Sequence, residues 1–293
     1  MHGLTADPAA GEARRTMFSA CGNPRCATGW LRLWRNRRVP GFEGRWACSA
    51  ECMGEMVAAA VRREMDCGGF ALHAHRLPMG LMLLEQGRIS AEQLREALGE
   101  QRRAFGEDGE TRRLGEWLVE RGVLEEAALT RALSAQWNCP VLTLDAFHPE
   151  ETAGALPRFL AEASSALPVR VAGGRLLYLA FAGNIDRGLC AALETMTGLK
   201  VVAGIAPDSA FRRAQREYLE TPGPRAHFLE AGSSWQLARA LTRRIEAERP
   251  VEARLRRVHG WFWLRTWRRP PAGLPRSGDV EDVIGAVGTA VEK

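Results

Sequence analysis

Pro78-Met79-Gly80-Leu81-Met82-Leu83-Leu84-Glu85-Gln86-Gly87-Arg88-Ile89, running on to Leu94, Ala97, Leu98 and Gln101, is the stretch whose reading decides the fold. At an offset of 35 residues stand Arg113-Leu114-Gly115-Glu116-Trp117-Leu118-Val119-Glu120-Arg121-Gly122-Val123-Leu124, then Leu129, Ala132, Leu133 and Gln136. Each Gly, Leu, Ala and Gln keeps that offset to its counterpart, which makes the stretch an internal repeat.

Each copy predicts a helical hairpin. Met79, Leu83 and Leu84 make one apolar stripe, and Gly87 and Gly122 fall where a left-handed C-terminal cap is wanted. In copy one Ser90 and Gln93 form an S-x-x-Q capping box. Leu94, Ala97, Leu98 and Gln101 then follow at three- and four-residue steps. Copy two has Glu125 at the cap, a poorer acceptor geometry than Ser. Pro140 ends the last helix, and Val141-Leu142-Thr143-Leu144 reads as a short strand.

The doubled pattern R-L-G-x-x-L-V-x-x-G-x-L-x-x-x-x-L-x-x-A-L-x-x-Q resembles the N-terminal domain of type II secretion and type IV pilus assembly ATPases (the GspE N-terminal, or MshEN, domain). The resemblance implies a cyclic di-GMP site in which each copy holds one half of the dinucleotide. Carried over residue by residue, it implies ligand contacts from Arg113, Leu114, Gly115, Leu118, Gly122 and Gln136 in copy two, and from Gly80, Leu83, Gly87 and Gln101 in copy one. Gly80 and Gly115 would let backbone N–H groups approach phosphate, and leucines would cover guanine faces. Copy one departs from the pattern, with Pro78 for the Arg and Met79 for the Leu, while Arg76 lies two residues upstream. A hydrogen bond to a charged group is worth roughly 1.5–3 kcal/mol, so one lost contact weakens binding by about one to two powers of ten. The spacer Arg102 to Glu110 is longer and more acidic than the family's linker. The alternative for the same hairpins is a packing scaffold or protein-docking surface.

Outward from the repeat, 293 residues suffice for two or three small domains. A net charge of +5 and a pI near 9.0 permit acidic partners without demanding them. No run approaches the ~18 apolar residues of a membrane span, and the polar start Met1-His2-Gly3-Leu4-Thr5 lacks a signal-peptide core, so no membrane insertion and a cytoplasmic location are expected. In that setting cysteines point to metal, catalysis or packing.

Cys21 and Cys26, then Cys48 and Cys52, have the paired layout of a four-cysteine zinc site. Trp30 to Arg35 and Phe42 to Trp46 read as two strands joined through Pro40-Gly41, and Ser49 to Met65 as a helix. The arrangement is treble-clef-like. Four protein ligands leave no open position for water, so the zinc is expected to be structural. The alternative is four cysteines buried as small apolar residues. Cys67, Cys139 and Cys190 have no paired spacing and read as packing residues; His73 and His75 read as exposed loop histidines.

Beyond the repeat the period changes. A helix at Leu156–Leu160, a hairpin of Leu167–Val171 with Leu176–Phe181 around Gly173-Gly174, a helix Asp186–Thr197, a strand Lys200–Ile205 and a helix from Asp208 to Tyr218 make a small α/β domain, which also resembles the second part of the same family's N-terminal region. Thr221-Pro222-Gly223-Pro224 reads as a linker. Ser233 or Ser234 caps a helix through Glu248, and Val251–Leu255 turns at His259-Gly260 into Trp261–Trp267. That run echoes Gly29 to Arg35, so the C-terminal hairpin is expected to pack near the cysteine module. Val280 to Val291 reads as a final helix.

The reading is an α+β multidomain chain: a flexible arm (1–18), the zinc module (19–72), the helical repeat (76–145), the α/β domain (150–220) and a C-terminal helix, hairpin and tail (225–293). It contains no G-x-x-x-x-G-K-[ST] loop, nucleophile elbow, H-E-x-x-H or G-x-G-x-x-G after a strand. A non-enzymatic adaptor or receptor with a secretion or pilus partner is therefore expected. The alternatives are a nucleic-acid-binding zinc protein, through the zinc module, whose Trp30, Trp34 and Trp46 stand among arginines and could stack nucleobases, and the arginine-rich hairpins, or a purely structural scaffold.

Overall fold

The computed structural model describes residues 21–26, 40–66, 77–108 and 113–288, with backbone alone at 104–108. Trp30 to Arg35, Cys67, His73, His75 and Arg76, all singled out above, lie outside them, as does the N-terminal arm.

Chain order begins with β1 (Gly41–Phe42), β2 (Arg45–Trp46) and α1 (Ala50–Asp66). The expected single strand at Phe42–Trp46 is instead a two-rung hairpin, with Gly41 opposite Trp46. Glu43 and Gly44 both take positive φ, 49° and 74°, the geometry of a two-residue hairpin turn, and so fold the run back on itself.

The helical region follows as α2 (Met79–Glu85), α3 (Ala91–Asp108), α4 (Leu114–Glu120) and α5 (Glu126–Trp137). Ser90 Oγ accepts from Gln93 N at 3.1 Å while Ser90 N donates to Gln93 Oε1 at 2.7 Å, so the capping box forms. Gly87 and Gly122 are left-handed, at φ 63° and 68°. Leu83, Ile89, Leu94, Ala97, Leu118, Leu124 and Ala132 make a small core of their own. Leu98, expected on the buried face, is 36% exposed. α3 also runs seven residues past Gln101, so much of the long spacer is helix.

Next come α6 (Pro149–Thr152), α7 (Arg158–Ala163), β3 (Ala166–Ala172), β4 (Leu176–Phe181), α8 (Arg187–Thr197), β5 (Lys200–Ile205) and α9 (Asp208–Glu220). The sheet order is β3-β4-β5, with β3 and β4 antiparallel around Gly173-Gly174 and β5 parallel to β4 through α8. Asp186 caps α8 by accepting from Leu189 N at 2.9 Å, and Gly198 ends it at φ 73°. The Val141–Leu144 strand shrinks to one bridge, Val141 to Ile205.

The chain closes with β6 (Arg225–Ala231), α10 (Ser234–Glu248), β7 (Glu252–Val258), β8 (Trp261–Trp267) and β9 (Val280–Val287), in a sheet of order β6-β9-β8-β7. The final helix expected from Val280 is thus a strand as far as Val287. Val280, Val283, Ile284 and Val287 fit a helical step, but they are β-branched and β9 is largely buried, and in a strand covered on both faces period ceases to discriminate. Gly285 admits Leu237 from α10; a Cβ there would sit 2.7 Å from its Cδ1. β6, to which no element was assigned, is an edge strand held parallel to β9.

One face of this last sheet, with Val258, Trp263, Trp267, Val280 and Ile284, shares a core with β3–β5, α7, α8 and α9. The other, with Ala253, Leu255, Phe262, Leu264 and Val283, shares one with α1 and α10. The expected approach of C-terminal hairpin and cysteine module is seen in β1 and α1. Glu43 N donates to Ala253 O at 2.8 Å, Arg257 N to Glu64 Oε2 at 3.0 Å, and Arg256 pairs with Glu64 at 3.1 Å.

Candidate ligand and metal sites

Gly80 is the second residue of α2, the first helix of copy one. A Cβ on it would lie 2.6 Å from Leu94 Cδ1 and 3.0 Å from Leu114 Cδ2, so copy two's Leu114 rests on copy one's Gly80. A Cβ on Gly115 would lie 2.7 Å from Leu129 Cδ1. The neighbours pressing on both glycines are leucine side chains, which gives these positions a packing role before any approach of phosphate. Gln136, the last residue of the second pattern, donates from Nε2 to Leu77 O at 2.8 Å, just ahead of Pro78. The end of copy two therefore closes on the beginning of copy one.

The other residues implied by the resemblance divide by place. Leu83 and Leu118 are wholly buried in the repeat's core, Gln101 is half-buried, and Gly87 and Gly122 are exposed at the far ends of α2 and α4 from Gly80 and Gly115. Pro78 caps α2 with its carbonyl, accepting from Leu81 N and Met82 N at 3.0 and 3.1 Å. Arg113 is exposed at the start of α4, where its N–H lies 3.4 Å from Glu116 Oε2. Its guanidinium lies against Gly183, in the loop between β4 and α8.

Copy two also reaches the α/β region from α5. Glu126 accepts from Ser209 N at 2.6 Å and Ser209 Oγ at 2.7 Å at the start of α9. Leu133 and Trp137 pack into that region's core. Burial holds the Asp208 carboxyl above its ordinary range, with Glu116 and Glu126 adding to the effect and Arg212, at 2.7 Å, opposing it.

The second constellation is the cysteine cluster. The Sγ atoms of Cys21, Cys26, Cys48 and Cys52 all lie within 4.8 Å of one another. Cys26 and Cys48 sulfurs are 3.5 Å apart, Cys48 and Cys52 3.6 Å. Tetrahedral thiolates at the usual zinc–sulfur length stand about 3.8 Å apart, so the four could hold a metal ion. Local structure sets them up: Gly22 N donates to Trp46 O at 2.8 Å, Asn23 Oδ1 accepts from Arg25 N at 3.0 Å, and Ser49 Oγ accepts from Cys52 N at 3.2 Å. Burial pushes the Cys21 thiol up to about 11, and a bound cation would reverse that by stabilising the thiolate. Cys139 and Cys190 pack on the α/β core, as read from sequence; burial, with Asp186 and Glu194 nearby, pushes Cys190 up to about 12.

The basic aromatic hairpin is not a stacking surface. Trp263 and Trp267 are 0% and 2% exposed, and Trp261 packs edge-on to Phe159 at 4.8 Å. Arg265 is wholly buried, donating to both Asp282 oxygens at 2.7 and 2.8 Å and to the carbonyls of Gly154 and Ala155 at 2.8 and 3.0 Å. Trp263 Nε1 also donates to Asp282 at 2.7 Å.

With this geometry in place, the class is set by comparison. The MshEN domain family matches residues 137–225, from the end of α5 to the start of β6. Over those residues the chain carries a domain of MshEN, or GspE N-terminal, type. The type IV pilus assembly ATPase PilB of Myxococcus xanthus is 30% identical over 147 residues, covering 50% of this chain and 25% of PilB. The chain thus spans about a quarter of that curated relative. Among solved structures, MshE with cdg is 28% identical at a TM-score of 0.40, covering 49% of this chain and 99% of that one. The N-terminal domain of XpsE is 20% identical at 0.35, covering 48% and 92%. The family match falls on the α/β stretch, where the sequence resemblance was the looser, and not on the doubled pattern. Among the described residues no helix is long and apolar enough to cross a membrane.

Sequence reasoning missed the partners of copy two across the boundary, Gly183 for Arg113 and Ser209 for Glu126. The signals were weak: a Gly-Asn after a strand and a Pro-Asp-Ser before a helix mark a turn and a cap, but name no distant contact.

Proposed function

We propose that this protein is a non-enzymatic receptor and adaptor. Its doubled motif takes cyclic di-GMP, and its surface docks a component of secretion or pilus machinery. Its four cysteines hold a structural zinc ion in a treble-clef-like module. The observation that carries the ligand reading is the meeting of the two motifs, Leu114 on Gly80 and Gln136 on Leu77. Two like segments side by side suit a ligand made of two like halves, and the ligand is the one the family resemblance implies. The MshEN match and the likeness to PilB support the machinery partner. Zinc is favoured by the four-thiolate donor set, which fills a tetrahedral ion and leaves no position for substrate.

The test is calorimetric titration of the metal-loaded protein with cyclic di-GMP, beside Arg113→Ala. Saturable binding in the micromolar range, about −8 kcal/mol, is expected for the wild type, weakened tenfold or more in the variant. Absence of heat at millimolar ligand would overturn the receptor reading.

A further inference from the structure

The residue on which the second motif depends is already occupied. Arg113 stands at the start of α4, exposed, and its guanidinium is laid against Gly183, at the carboxyl end of β4 where the chain turns into α8. Among the described residues Arg121 pairs with Glu100 at 2.8 Å and Arg212 with Asp208 at 2.7 Å, whereas the Arg113 guanidinium has no carboxylate partner there and lies against this loop. Gly183 makes the contact by having no side chain: a Cβ there would fall on Arg113 Nη1. The rest of copy two is anchored independently, through Glu126 on Ser209 and through Leu133 and Trp137 in the α/β core. Arg113 can therefore leave without the hairpin leaving.

We propose that Gly183 is a docking notch that stores Arg113 in the ligand-free protein. Capture of Arg113 by an anionic nucleotide in the repeat and its seating on the β4–α8 loop exclude one another. Ligand occupancy is thereby passed to the carboxyl end of the α/β sheet, with Arg113 as the moving part and Gly183 as its positioning residue. This rests on the repeat being a cyclic di-GMP site. The linkage is reciprocal: whatever empties the notch tightens the ligand, and the ligand empties the notch.

Gly183→Ala tests it, because the new methyl evicts Arg113 without altering Arg113 itself, and Gly183 has no positive φ that alanine would strain. Cyclic di-GMP is titrated into wild type, Gly183→Ala and Arg113→Ala, and amide exchange at 182–186 is followed with and without ligand. The expected result is binding about fivefold or more tighter in Gly183→Ala, the range of ordinary allosteric coupling. Ligand should also speed exchange at 182–186 in the wild type, and Arg113→Ala should speed it with no ligand present. Binding that is unchanged or weaker in Gly183→Ala overturns the notch while leaving the receptor reading intact; the weaker case would mean that Arg113 on Gly183 is already the binding pose. No binding in any variant overturns the receptor reading and the notch with it. Glu126→Gln serves as the folding control, since it disturbs the same interface without touching Arg113.

Discussion

The helical repeat and the C-terminal sheet are held by opposite means. The repeat is built from neighbours in sequence: a capping box across three residues, left-handed glycines closing seven-residue helices, and a core of seven buried side chains that all lie between Leu83 and Ala132. The sheet is built from distant partners. β6 and β9 pair across more than fifty residues, β7 receives Glu43 N from the cysteine module, and Arg265 reaches the carbonyls of Gly154 and Ala155. Local rules make an element recognisable and leave its neighbours open. Long-range burial fixes neighbours, yet it can turn a helix-like run into a strand.

With zinc in the four-cysteine site, as proposed, the sharpest way to break this comparison is to chelate it. The cysteine sulfurs belong to the core that α1 shares with α10 and the last sheet, and structural zinc contributes an apparent ~10–16 kcal/mol in small fingers. Chelation is expected to open α1 and loosen the α10 face of the sheet while the repeat keeps its protection. At pH 8 the four cluster thiols should then alkylate, whereas Cys190, pushed up to about 12, stays protonated and inert. Mass spectrometry after a short iodoacetamide pulse reads both halves at once. Equal loss of protection in repeat and sheet would show one cooperative unit.

Next in size is Asp282→Ala. Removing one partner of a wholly buried pair leaves Arg265 uncompensated and costs about 3–5 kcal/mol. A urea melt would read the loss, and a cost under about 1 kcal/mol would show that water enters to solvate the guanidinium.

Smallest are Gly87→Ala and Gly122→Ala. Each forces a left-handed alanine in open space, costing roughly 1–2 kcal/mol. The two costs should agree, because the positions are structurally alike. A large difference between them would show that the copies are supported unequally, as Pro78 and Arg113 already are at the other end of the helices.

Legibility in the sequence followed the range of the forces. Asp186 and the Gly173-Gly174 turn announced the α/β elements, and the spacing of Cys21, Cys26, Cys48 and Cys52 announced a cluster whose sulfurs the fold brings together. β6 announced nothing: Arg225-Ala226-His227-Phe228-Leu229-Glu230-Ala231 is a strand only because β9 lies beside it. The aromatic run at Trp261–Trp267 was correctly a strand, but nothing in its sequence told that both its faces would be covered.

By itself, then, the sequence determined the helices of the doubled stretch with the Ser90 cap and the glycine stops, the α/β order after them and the cysteine cluster. Each is written in residues a few positions apart, or in a pattern of spacing that survives without knowledge of partners. Only the tertiary structure decided that Val280–Val287 is a central strand, that Arg265 and Asp282 bolt the last sheet to Gly154 and Ala155, and where Arg113 rests. Those depend on which surfaces exclude water from one another, and burial of that kind joins residues that carry no mark of each other in the chain.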